Sequence, residues 1–189
     1  MAVNWVLFES AIRPYFNSGL IPSNTDDAAN YIANIYDTAV RMGSTAFGNF
    51  TLNTNKPALV TNLKIAFKLM HGAGGTPVES SAYTVMATGF ITYWLGATMS
   101  PLPPHPPTIL PAVPNACQVL YPGDVASLSK SLQNALTNLK LIKTAGLSTT
   151  LLSLALKIHL MSISGIYLGL VPVVVGVAPF PPVPWTGIF

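Results

Sequence analysis

The sequence predicts a mainly α-helical domain of about five or six helices joined by long proline-rich extended segments, with a short C-terminal strand as an open option. Three observations predict it. Apolar residues recur at steps of three and four through most of the first 70 positions and again after Gly123. Capping residues and terminating glycines bracket these runs. The 17 prolines gather mainly in two stretches that can be neither helix nor central strand.

Taken in order, Trp5, Phe8, Ile12 and Phe16 lie on one side of a helix from about Asn4 to Asn17, with Pro14 as a potential break and Gly19 closing it. The next helix has Asn24 or Thr25 as its cap, Asp26 and Asp27 at the positive end of its dipole, and Arg41 at the negative end before Gly43. Ala28, Ile32, Ile35 and Ala39 form its apolar stripe, flanked by Tyr31, Tyr36 and Val40. Residues 44–55 read as a loop. Asn55 then caps a third helix with Pro57 in its first turn and Leu59, Leu63, Phe67 and Met70 facing the core, ended by Gly72, Gly74 and Gly75. A fourth helix, opened by Pro77 and running to about Ala97, is apolar nearly all round.

From Met99 to Pro114 the proline density dictates extended or polyproline-like chain. Asp124 caps a fifth helix striped by Val125, Leu128, Leu132, Leu136, Leu139 and Ile142, with Gly146 as its expected end. A sixth helix starts at Ser148 or Thr149. Between 150 and 175 helix and strand compete, because Leu152, Leu154, Leu156, Ile158 and Leu160 alternate while Leu and Ala dominate. The favoured reading is helix to about Leu160 and extended chain from Gly165 to Val175. Four regions result: a helical region at 1–99, a proline-rich connector at 100–122, a helical and extended region at 123–177, and a proline-rich arm at 178–189.

Thr61-Asn62-Leu63-Lys64 recurs as Thr137-Asn138-Leu139-Lys140, and Thr88-Gly89 matches Ser164-Gly165 at the same offset. A duplication would make two related lobes.

Charge is scarce. Only 8% of residues are charged, against about 25% in an ordinary domain. None lies between Ser80 and Gly123 or between Ile158 and Phe189. Residues 1–40 hold Glu9, Asp26, Asp27 and Asp37 against Arg13, while the later chain is basic. Such an acidic front and basic remainder suit head-to-tail contact between copies. No dense Lys/Arg cluster with interleaved aromatics occurs, so nucleic acid is not an expected partner. The opening residues Met1 to Glu9 carry neither a basic leader nor a sufficient apolar run, so no signal peptide is expected. The single cysteine, Cys117, excludes an intrachain disulfide and reads as a small buried hydrophobe.

No reactive constellation stands out. His71-Gly72-Ala73-Gly74-Gly75 resembles an oxyanion-hole loop, but it follows a helix and no Gly-x-Ser-x-Gly turn accompanies it. His71, His105 and His159 are far apart and lack a nearby carboxylate, so no metal, cofactor or small-molecule substrate is expected, and the chain reads as no enzyme. Residues 160–180 are uncharged and long enough for a bilayer, yet Gly165, Gly169, Pro172 and Pro179 punctuate them. Membrane insertion there is the alternative reading. The proline-rich arms favour assembly instead: laid in grooves of neighbours they bury apolar side chains at low entropic cost. Trp94, Ile109, Leu110, Phe180, Val183, Trp185 and Phe189 are the expected contact residues.

Tyr93-Trp94-Leu95-Gly96 leading into the proline run, and the ending Pro184-Trp185-Thr186-Gly187-Ile188, resemble virion proteins of contractile-tailed bacteriophages over about the last 100 residues. The resemblance implies a tail, neck or baseplate subunit, and it carries over no functional residue. The expected function is therefore a non-enzymatic structural subunit of a large symmetric assembly, a virion component put together in the host cytoplasm. Its partners would be its own copies and other virion structural proteins.

Overall fold

A computed structural model describes residues 2–17, 24–45, 51–70, 79–99, 117–142, 145–167 and 183–189. It is mainly helical, as the periodicity predicts. The helices are α1 (Trp5–Asn17), α2 (Thr25–Arg41), α3 (Lys56–Met70), α4 (Glu79–Trp94), α5 (Val125–Ile142) and α6 (Ala145–Ser162). Five short strands intervene: β1 (Thr51–Asn53), β2 (Thr98–Met99), β3 (Cys117–Tyr121), β4 (Ser164–Tyr167) and β5 (Val183–Thr186).

Local chemistry explains three of the helix starts. Asn24 Oδ1 accepts from the Asp27 amide at 2.7 Å, and Asp124 Oδ1 from the Ser127 amide at 2.7 Å. Asn55 Oδ1 accepts from Ala58 at 3.2 Å. Each satisfies an orphan donor of a first turn. α1 runs unbroken through Pro14, because a proline in the last turn forfeits one bond rather than an interior ladder. Gly146 does not end the fifth helix; it lies inside the first turn of α6, which starts three residues before Ser148.

Successive helices pack on one another in chain order, and α6 closes back on α1. β1 follows α2, β2 follows α4, β3 precedes α5 and β4 follows α6, so the helices alternate toward and away from the sheet. The Asn4 amide donates to the Ala39 carbonyl at 3.2 Å, which sets the start of α1 at the sheet end as well. The bundle core is aromatic. Tyr36 meets Phe8, Phe90 and Tyr93 edge-to-face at 6.4, 4.9 and 5.2 Å, and Trp94 Nε1 donates to its hydroxyl at 2.8 Å. Burial pushes the Tyr36 phenol well above its ordinary range, so it stays protonated. The buried side of α2 runs through Ala29, Ala33, Tyr36 and Val40, with Ile32 and Ile35 only partly covered. The expected stripe is thus rotated, because small alanines let the neighbouring helices approach while Tyr36 fills the centre.

The five strands form one antiparallel sheet in chain order, which the sequence reading does not foresee beyond a C-terminal strand. Residues 51–53, read as loop, pair with β2, and β5 pairs with β4 to complete the sheet. Gly165 sits between Val119 and Trp185 under the indole ring, where any Cβ would collide with the Gln118 carbonyl oxygen and Trp185. Trp185 therefore covers a position only glycine can occupy. The two supposed repeats diverge here: Thr88-Gly89 lies mid-helix in α4, and Ser164-Gly165 opens a strand.

Candidate interaction surface

No group of three His, Cys, Asp or Glu side chains among the described residues could hold a metal ion. The most concentrated polar cluster is built on Asp37, which α2 turns inward. Its Oδ1 accepts from Tyr93 Oη at 2.7 Å and Arg41 Nε at 3.0 Å, and its Oδ2 from Lys56 Nζ at 3.3 Å. Burial alone would push the carboxyl up, but the bonds from Arg41 and Tyr93 and the charges of Arg41 and Lys56 outweigh it and hold it below its ordinary value. A carboxylate so saturated is a clamp between α2, α3 and α4, not a base poised for proton transfer. A shallow depression of about 360 Å³ beside α1 is lined by Val6, Glu9, Ser10, Arg13 and Pro14, and its Glu9 carboxylate accepts a hydrogen bond from the Ser153 hydroxyl of α6.

His159, on the inner side of α6, packs its ring against Gly123, whose φ of +106° makes the turn from β3 into α5. The ring is 4% exposed and its Nε2 has no hydrogen-bond partner among the described residues. Burial pushes its pKa down to about 4 from the ordinary 6.5. The folded state thus resists protonation, and the unfolded chain takes up the proton first. Stability is full above about pH 6.5 and falls as pH drops toward 4, by about 3 kcal/mol in all. Urea melts from pH 7 to pH 4.5 should show this loss, and His159→Leu should remove most of the slope.

The expected contact residues divide into three groups. Trp94 is fully buried and Trp185 is 3% exposed, both within the chain's own core. Within this chain, therefore, neither ring is open to a neighbour. Val183 opens β5. Phe189 is half exposed, while its backbone exchanges two hydrogen bonds of 3.0 Å with Ser44. Ile109, Leu110 and Phe180 lie outside the described residues.

Two other features bear on association. The register aligns Thr51, Met99, Cys117, Tyr167 and Val183 in one row across the sheet. Met99 and Cys117 are the roots of residues 100–116; Tyr167 and Val183 bound residues 168–182. The residues that flank both proline-rich, uncharged segments therefore share one row across the strand ends of one sheet. The second feature is the outer side of α6, where Leu147, Leu154, Ile158 and Met161 are each 44–55% exposed. Sequence reading missed this stripe because the inner side of α6 is apolar too, and a helix apolar on both sides shows no clear moment. The four-three-four-three spacing from Leu147 to Met161 is the signal that could have revealed it. The chain matches no protein-family model, no curated protein and no solved structure.

Proposed function

We propose that the chain is a non-enzymatic structural subunit of a large symmetric assembly: a virion component of the tail, neck, baseplate or capsid-associated type, put together in the host cytoplasm. It contacts its own copies and other structural proteins through its apolar proline-rich segments. The observation that carries this reading is the shared row of strand ends. Residues 100–116 and 168–182 hold eleven of the prolines and no formal charge, and their roots lie side by side. Proline pre-orders a chain, so such segments lose little entropy on docking, and a common root lets two of them engage one neighbour. Scarce charge elsewhere supports the same reading, since much of the surface would meet protein.

Insertion of residues 160–180 into a membrane is less well supported. Leu160 and Ile163 are buried in the core, and residues 164–167 form β4. Among the described residues no helix is long and apolar enough to cross a membrane.

The test is the mass of two chains by light scattering. The native chain should form a discrete oligomer or join a defined partner. A chain with residues 100–116 replaced by an equal length of Gly and Ser should keep its helical circular dichroism and lose that association. Association undiminished by the replacement would count against the proposal.

A further inference from the structure

The outer side of α6 carries Leu147, Leu151, Leu154, Ile158 and Met161 at steps of four, three, four and three, the spacing of a coiled-coil seam. Leu151 is half-buried and the other four are exposed. Lys157 is the helix's one charged residue. A seam of this kind calls for a helix with the same spacing as its partner. We propose that α6 pairs antiparallel with α6 of a second copy across a two-fold axis at Leu154. This pairing rests on the assembly reading above and names one of its interfaces.

Three arguments select a second copy in that orientation. The stripe is nearly palindromic: apolar residues stand seven and three positions before Leu154 and four and seven after it. Reversed, it therefore matches itself, which is what an isologous interface requires. Charge selects the antiparallel sense. Ser153 Oγ bonds Glu9 Oε1, so this edge of α6 faces α1, and Lys157 lies one turn further along the same edge. A two-fold antiparallel pair keeps both α1 edges on one side, bringing each Lys157 toward the partner's α1 edge, where Glu9 attracts it and Arg13, one turn on, offsets part of that attraction. A parallel pair would turn it toward the partner's α5. Area sets the strength. An 18-residue helix is about 27 Å long and about 10 Å across, and two such faces with the flanking α1 surface reach about 1,000 Å², the lower bound for a specific dimer. Val6, 79% exposed on α1, extends that surface. The pair alone is thus weak, and other contacts in the assembly reinforce it.

Single cysteines test the geometry in a chain whose native thiol is removed by Cys117→Ser. At about 100 μM, far above a tight-binding regime, copper phenanthroline should link Leu154→Cys to its copy rapidly. Leu147→Cys or Met161→Cys alone should link at least tenfold more slowly, whereas a mixture of the two should give the mixed dimer. Leu154→Lys in the native background should abolish the dimer while leaving circular dichroism and the urea midpoint unchanged. Equal linkage at all three positions, or none at Leu154→Cys, would overturn the pairing. An assembly whose mass is unchanged in Leu154→Lys would overturn it too and leave the broader assembly reading intact. A native chain that stays monomeric and joins nothing would overturn both.

Discussion

A chain ending at residue 182 is expected to lose its cooperative unfolding transition. The seven residues removed form β5 and its extension. Trp185 and Ile188 are each 3% exposed in the core. The Gly187 amide donates to the Ile163 carbonyl at 2.8 Å and the Ile188 amide to the Leu160 carbonyl at 3.1 Å, tying the segment to the end of α6. Losing a buried Trp costs about 3–5 kcal/mol and a buried Ile about 2–5 kcal/mol. The truncation also uncovers β4 as a new edge and leaves its carbonyls unpaired. Together these losses approach the whole stability of a typical domain, about 5–15 kcal/mol. Circular dichroism against urea should show a broad, non-cooperative curve. A truncated chain that melts cooperatively within a few degrees of the native one would contradict the placement of β5. The consequence for function is direct: deleting 178–189 cannot separate loss of assembly from loss of fold.

The second large effect is expected at Asp37. Asp37→Ala should destabilise the protein by about 3 kcal/mol. It leaves the Tyr93 hydroxyl, on a fully buried side chain, without its acceptor and strips Arg41 and Lys56 of their shared carboxylate. The two cations are about a third exposed, so water relieves part of the cost on their side. Asp37→Asn keeps an acceptor for Tyr93 and should lose about half as much. The clamp also fixes a sign for acid. Because the folded carboxyl lies below its ordinary 3.8, its contribution is present above that value and is lost as pH falls through the lower, folded one. Urea midpoints of the three proteins at pH 7 check the ranking. Equal midpoints would mean that the cluster is a surface feature rather than a joint between helices.

The helices were legible because their signals are local. Asn24, Asn55 and Asp124 cap as their residue types predict, and α2 and α5 begin where those caps place them. The sheet was not legible. Its strands are two to five residues long, and their partners lie far along the chain or beyond a proline-rich stretch. Runs of that length carry too few alternations to register a period, and only pairing makes them strands. Trp185 shows the same gap: next to prolines its large apolar ring reads as a free anchor, and only the bare backbone at Gly165 reveals its seat. In α6, alternating leucines suggested a strand because inner and outer sides are both apolar. One side packs on α1 and α5, and the other is exposed.

Light scattering on the purified native chain without detergent, over a range of concentrations, tests the central claim most directly. The account predicts a discrete multiple of the 20.0 kDa chain, or a chain that combines stoichiometrically with a defined structural partner. A chain that remains at 20.0 kDa at every concentration and takes up no partner, or one recoverable only in detergent, would contradict it.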